Sequence, residues 1–124
     1  VFPSYAYRFD TDHGSVVFSG DTSVSANVVR LAQGADVLVH EAIDLEALGD
    51  LPPAALDHLK QSHTSVADVG AVAEQAGVDT LVLSHLVPAA HALVSDARWR
   101  RRAQQGFSGR VVVGEDLMRI PLPR

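Results

Sequence analysis

Four short apolar runs in this sequence each lead into residues that could do chemistry. Gly20-Asp21-Thr22 follows "VVFS", His40-Glu41 follows "DVLV", Ser84-His85 follows "TLVL" and Gly114-Glu115-Asp116 follows "RVVV". Carboxylates and imidazoles are the oxygen and nitrogen donors that zinc and similar divalent ions accept, which makes Asp21 and His85 candidate ligands. A Glu hydrogen-bonded to a His can instead fix the tautomer of the ring and keep it charged as a general acid, and His40-Glu41 with His63-Thr64 offers that pairing. An ionised Asp21 at the edge of an apolar core is costly unless backbone donors cap it, a cation pairs with it or a metal binds it. The residues alone leave these alternatives open. Asp-Thr before a helix is also a common N-cap, and catalytic zinc takes three protein ligands, whereas no local H-x-H or H-E-x-x-H spacing is present.

The elements that must position these residues are legible as two alternating patterns. Ser15 to Phe18, Asp36 to Val39, Thr80 to Leu83 and Arg110 to Val113 are continuous apolar runs, as expected of strands covered on both faces. A leading strand, Tyr5 to Asp10, is expected to hairpin onto the first of them through Asp12-His13-Gly14. Val24, Val28 and Leu31 predict a helix over Ser23 to Gln33 ahead of Gly34. Ser65 and Asp68 suggest a capping box for a helix running to Ala76 and stopped by Gly77, and a third helix is expected over Ser95 to Gln105. Asp44 to Ser62, with Gly49, Pro52 and Pro53, reads as an excursion over the surface near the site. This order is that of an α/β layered domain, in which ligands gather at the carboxyl ends of the strands.

Composition excludes more than it selects. At 124 residues, with 47% hydrophobic and 20% charged residues, the chain is an ordinary globular domain with a sizeable core. A net charge of -5 gives no whole-chain footprint for nucleic acid or an anionic membrane, and the lack of Cys excludes disulfides and Cys-ligated metals. No apolar run is long enough to span a bilayer. The chain opens on "VFPSYAYRF" without Met, so a signal peptide is not readable from it, and a cytoplasmic location is the expectation. His13, His58 and His91 fall in turn, linker and loop positions and read as solvated. Arg98, Arg100, Arg101 and Arg102 beside Trp99 read as a charged helix face with the indole turned inward, the alternative being a phosphate contact. Ser19, Ser62 and Ser84 stand outside any G-x-S-x-G elbow.

Taken in order, "VVFSGDT", "ADVLVHEA" and "SHTSVADVGAVAEQAGVDTLVLSHLVP" resemble the second half of the metallo-β-lactamase superfamily. Within it they are similar to the ribonuclease Z-like branch, which includes arylsulfatase-type and related phosphodiesterase members. The resemblance runs from about Tyr5 to Met118. It implies an α/β fold that is half of a four-layer αββα sandwich, one mixed sheet with outer helices, with residues 1–124 as the C-terminal half of the domain. It further implies that Asp21 bridges two divalent ions, zinc by expectation, and that His85 is the last histidine ligand of one of them. Glu41 in "HEA" and His63 in "HTS" are implied to assist proton delivery to a leaving group. Two departures stand out. The branch's "HEAT" lacks its Thr here at Ala42-Ile43, which weighs against a strict transfer RNA-processing role, and the H-x-H-x-D-H motif of the first half is absent.

The expected parent is therefore a metal-dependent hydrolase of a phosphodiester or other ester-like bond, this chain being a fragment inactive on its own. Within enzymes the alternative is a lactone, sulfate-ester or β-lactam-type hydrolase. From another class, it is a non-catalytic half-domain serving interaction or dimerisation. A single sheet with helices on its outer side leaves an apolar face, so the expected partner is the missing N-terminal half or a second copy in a homodimer. The expected substrate is small and phosphate- or ester-bearing, or else RNA, and no membrane is involved.

Overall fold

The computed structural model describes residues 3–90 and 92–123, so His91 lies outside the described residues. The apolar runs form a five-stranded sheet: β1 (Tyr7–Thr11), β2 (Gly14–Phe18), β3 (Val37–Ile43), β4 (Thr80–Val87) and β5 (Arg110–Val113). Four helices accompany it: α1 (Ala26–Leu31), α2 (Pro53–Ser62), α3 (Val66–Ala76) and α4 (Asp96–Gln104). The hairpin at Asp12-His13 pairs β1 antiparallel with β2, and the remaining strands are parallel in the order β1-β2-β3-β4-β5.

That sequential order decides where the core lies. Parallel crossovers are right-handed, so a sheet built by stepping always in one direction receives its crossover helices on one face only. On that face Val17, Leu38, Leu81, Leu83, Val111 and Val113 pack with Val28 of α1, Val69, Val72 and Ala73 of α3, and Trp99 and Ala103 of α4. The opposite face is also apolar. Val16, Phe18, Val37, Val39 and Val82 line a broad concavity of about 1080 Å³, edged by Met118, Ile120 and Leu122 of the C-terminal segment. Tyr7 and Phe9 extend it along β1, with Phe9 edge-on to Phe18 at 6.1 Å, and all three aromatics are exposed. The continuous apolar runs are thus explained: helices of this chain cover one face and leave the other open.

Local chemistry sets the helix ends, with some differences from expectation. Helix α1 is shorter than Ser23 to Gln33, because Ser25 caps it through the Asn27 N–H. The Ser65 hydroxyl accepts from the Ala67 N–H, one residue short of the capping-box position, and Gly77 ends α3 at φ +68°. Ser95 caps α4 through the Arg98 N–H. The surface excursion folds in its second half as α2, which starts at Pro53 and buries none of its residues.

Helices α3 and α4 approach closely at Gly70. A Cβ there would lie 2.3 Å from the Ala103 carbonyl oxygen and 2.5 Å from that of Gln105. Gly to Ala inside a helix ordinarily stabilises by up to about 1 kcal/mol. Here backbone oxygens cannot yield as a side chain would, so Gly70→Ala should destabilise by about 2 kcal/mol, seen as a lower urea midpoint with an unchanged slope.

The arginine run of α4 is not a free charged face. Trp99 is buried as expected, but Arg98 Nε donates to Asp44 Oδ2 at 2.8 Å and Arg102 Nη1 to Glu46 at 2.6 Å, which ties α4 to the segment after β3. The Asp44 side chain is 0% exposed. Burial works against its charge, but the Arg98 hydrogen bond, the Ala47 N–H and the charges of Arg102 and Arg98 outweigh it and hold its pKa below the ordinary 3.8. A depressed folded pKa adds stability that is full above the unfolded value and is lost as pH falls through the folded one. Asp44→Asn should therefore cost on the order of 3 kcal/mol near neutral pH. In urea titrations the gap from the natural protein should close as pH drops below about 3.8.

Candidate functional site

Strands β3 and β4 run beyond Val39 and Leu83, so His40, Glu41, Ser84 and His85 lie within strands instead of after them. The reason is a bulge. Glu41 pairs with Ser84 and Ala42 with Leu86, which leaves His85 as the extra residue, at φ +45°. A non-glycine residue in that region costs on the order of 1 kcal/mol, and such bulges re-aim side chains at the rims of sites. Pairing resumes beyond it, carrying both strands to Ile43 and Val87.

Asp21 is placed by a pinned turn. Gly20 sits at φ +63°, and a Cβ on it would meet the Tyr5 carbonyl oxygen at 2.8 Å, so glycine is required on both counts. The Ser4 hydroxyl donates to the Asp21 carbonyl oxygen at 2.6 Å. The Asp21 carboxylate is left 58% exposed, with Oδ1 at 3.7 Å from His85 Nε2. It does not cap α1, because Ser25 does.

Behind this pair lies a buried carboxylate. Glu41 is 2% exposed and accepts three N–H donors: Thr22 N–H on Oε1 at 2.9 Å, His63 Nδ1 on Oε1 at 3.0 Å, and Thr64 N–H on Oε2 at 3.2 Å. His63 closes α2 through its own N–H to the Leu59 carbonyl, and the next residues run beside the end of β3, with Ile43 N–H donating to the Thr64 carbonyl at 2.9 Å. That docking brings His63 against Glu41 from far along the chain. The His63 and His85 rings stack at 5.7 Å with 14° between planes. One side-chain donor atom from each of Asp21, His63 and His85 falls within 4.8 Å of the others.

One carboxylate oxygen and two imidazole nitrogens on a partly open cluster fit a divalent metal such as zinc, which takes this donor set and commonly three protein ligands in catalytic centres. With Nδ1 of His63 engaged by Glu41, only its Nε2 is free toward the cluster, an orientation that serves proton transfer or ligation. All four residues singled out from the sequence are thus brought together. Glu115 and Asp116 are not in the cluster and line the open concavity beside Ser84 and His85. His13 lies in the hairpin turn and His58 is exposed on α2. The backbone donors of Thr22 and Thr64 and the buried Ser19, whose hydroxyl accepts the Glu41 N–H at 3.2 Å, carried no sequence signal.

No protein-family model matches the chain. Among curated proteins it is 39% identical over 120 residues to ribonuclease Z of Mycobacterium tuberculosis strain H37Ra, covering 97% of this chain and 44% of that protein. It is 40% identical over 120 residues to ribonuclease Z of Mycobacterium avium, covering 97% and 42%. The chain spans about half the length of the curated relatives it matches. Among solved structures it resembles human tRNase Z, short form, with a TM-score of 0.63 at 25% identity over 99% of this chain and 39% of the other. It also shares its fold with the metallo-β-lactamase fold protein YhfI of Bacillus subtilis, with a TM-score of 0.66 at 24% identity over 90% and 41%.

Proposed function

The chain belongs to the ribonuclease Z-like branch of the metallo-β-lactamase superfamily, and from that premise we propose that the whole protein is a metal-dependent phosphodiesterase of which residues 1–124 are the C-terminal half. The observation that carries this reading is the convergence of Asp21, His63 and His85 on one point with Glu41 buried behind them. A non-catalytic module has no need for a carboxylate buried under three donors, an arrangement that costs desolvation and specifies one ring orientation.

Asp21 and His85 would hold a pair of divalent ions, zinc by its donor chemistry. When bound, such a pair stabilises the attacking and departing oxygens of a phosphodiester. His63 donates Nδ1–H to Glu41 and turns Nε2 to the cluster, where a proton held on Nε2 can pass to the leaving oxygen. Glu41 keeps the ring from rotating and stabilises its charge while it is protonated. The other half of the domain supplies the remaining ligands and covers the apolar sheet face, so this chain alone is inactive. The names of the relatives favour RNA as substrate. Of the arginine run, Arg100 and Arg101 are exposed and available to phosphate, Arg98 and Arg102 being engaged by Asp44 and Glu46.

Native mass spectrometry of the full-length protein, paired with cleavage of a model phosphodiester and of precursor transfer RNA, tests this. The expected result is two zinc ions per chain and turnover lost on chelation. A metal-free protein that cleaves neither would leave the interaction module standing, and cleavage of lactones or sulfate esters in preference would redirect the substrate class.

A further inference from the structure

The side chain next to Glu41 is as deeply buried and has no part in the chemistry above. On β3, Val37 and Val39 face the open concavity, Leu38 and Ala42 belong to the helix-covered core, and strand alternation puts His40 on the helix side and Glu41 on the site side. His40 is 0% exposed, its Nδ1 lies 2.8 Å from the Glu41 carbonyl oxygen, and its Nε2 has no hydrogen-bond partner among the described residues. A carbonyl oxygen only accepts, so the proton sits on Nδ1 and Nε2 is bare. Burial holds the His40 pKa below the ordinary 6.5, against the hydrogen bond to Glu41, so the ring is neutral.

A buried ring nitrogen with no donor facing it among the described residues is a standing cost that an apolar side chain would avoid. What the ring gives in return is one N–H to the carbonyl of Glu41, at the point where the β3–β4 register shifts. The other backbone group of Glu41 is also held by a side chain: its N–H donates to the Ser19 hydroxyl, just past the end of β2. Both flanking peptide groups are therefore fixed, and with them the direction of the carboxylate.

We infer that His40 is a positioning residue for Glu41: its Nδ1–H clamps the Glu41 carbonyl and so keeps the carboxylate aimed at His63. The inference rests on the proposed role of Glu41, but its test does not depend on turnover alone. In the full-length protein, His40→Leu removes the donor and His40→Asn restores an N–H near the position of Nδ1. Nitrogen-detected NMR should show the Nδ1–H tautomer for His40 in the natural protein. The His63 Nδ1 proton should lose its hydrogen-bonded shift in His40→Leu and regain it in His40→Asn. His40→Leu should lower kcat roughly 10- to 100-fold with KM and metal content unchanged, and His40→Asn should recover most of it. An Nε2–H tautomer, or Leu and Asn variants alike in both the His63 signal and kcat, would overturn the inference. If the protein cleaves no phosphodiester, the His63 proton signal still decides. If His40→Leu does not fold, the tautomer and the His40→Asn signal decide.

Discussion

Asp21→Ala should abolish metal-dependent turnover by the full-length protein while leaving its fold untouched. The carboxylate is more than half exposed and the turn that carries it is held by backbone features, the glycine at φ +63° and the Ser4 hydroxyl on the Asp21 carbonyl, none of which the substitution removes. Stability should therefore stay within about 0.5 kcal/mol of the natural protein. Loss of the proposed metal ligand should lower kcat/KM by roughly a thousandfold or more, equivalent to at least about 4 kcal/mol of transition-state stabilisation. Metal analysis should show reduced occupancy. Full activity in the variant would remove Asp21 from the site; an unfolded variant would mean that its role is structural.

How much of this was readable in advance depends on whether a feature rests on residue type or on pairing. Gly77, at the left-handed end of α3, and the Val and Leu runs are local signals, and they placed one helix and the centres of four strands correctly. The bulge at His85 is not local. It exists because Ala42 pairs with Leu86 instead of His85, and nothing in "TLVLSHLV" marks the skipped residue, so both strands were expected to end too soon. The site divides in the same way. Side chains able to ligate or transfer protons are visible as types, whereas the Thr22 and Thr64 N–H groups that hold Glu41 are backbone and leave no mark. Ser65 and Asp68 suggested a capping box, but the hydroxyl found the nearer Ala67 N–H, because capping geometry depends on the entering chain as well as on spacing. The resemblance to a known superfamily supplied the grouping of Asp21, Glu41, His63 and His85, residues up to 64 positions apart, that no spacing rule joins.

His63→Ala should lower kcat by roughly 10²- to 10⁴-fold, the range for loss of a positioned proton donor. It should leave metal content intact, and the second readout matters most. His63 lies in the same cluster as Asp21 and His85, and a ring whose other nitrogen donates to a carboxylate is also the form in which histidine commonly ligates zinc. Loss of metal from His63→Ala would make it a ligand with Glu41 as its orienting carboxylate, and would transfer the proton-donor role elsewhere. Retention of metal with loss of kcat assigns it to proton transfer. Glu41→Gln is the companion change. Three N–H donors converge on the two oxygens of Glu41, so an amide must turn its own NH₂ toward at least one of them. That opposed pair of donors in a buried site should cost about 1–3 kcal/mol of stability, a penalty that His63→Ala should escape, because it leaves Glu41 with both backbone donors in place. If the two variants slow turnover to the same extent and the double variant is no slower than either, Glu41 and His63 act as one unit.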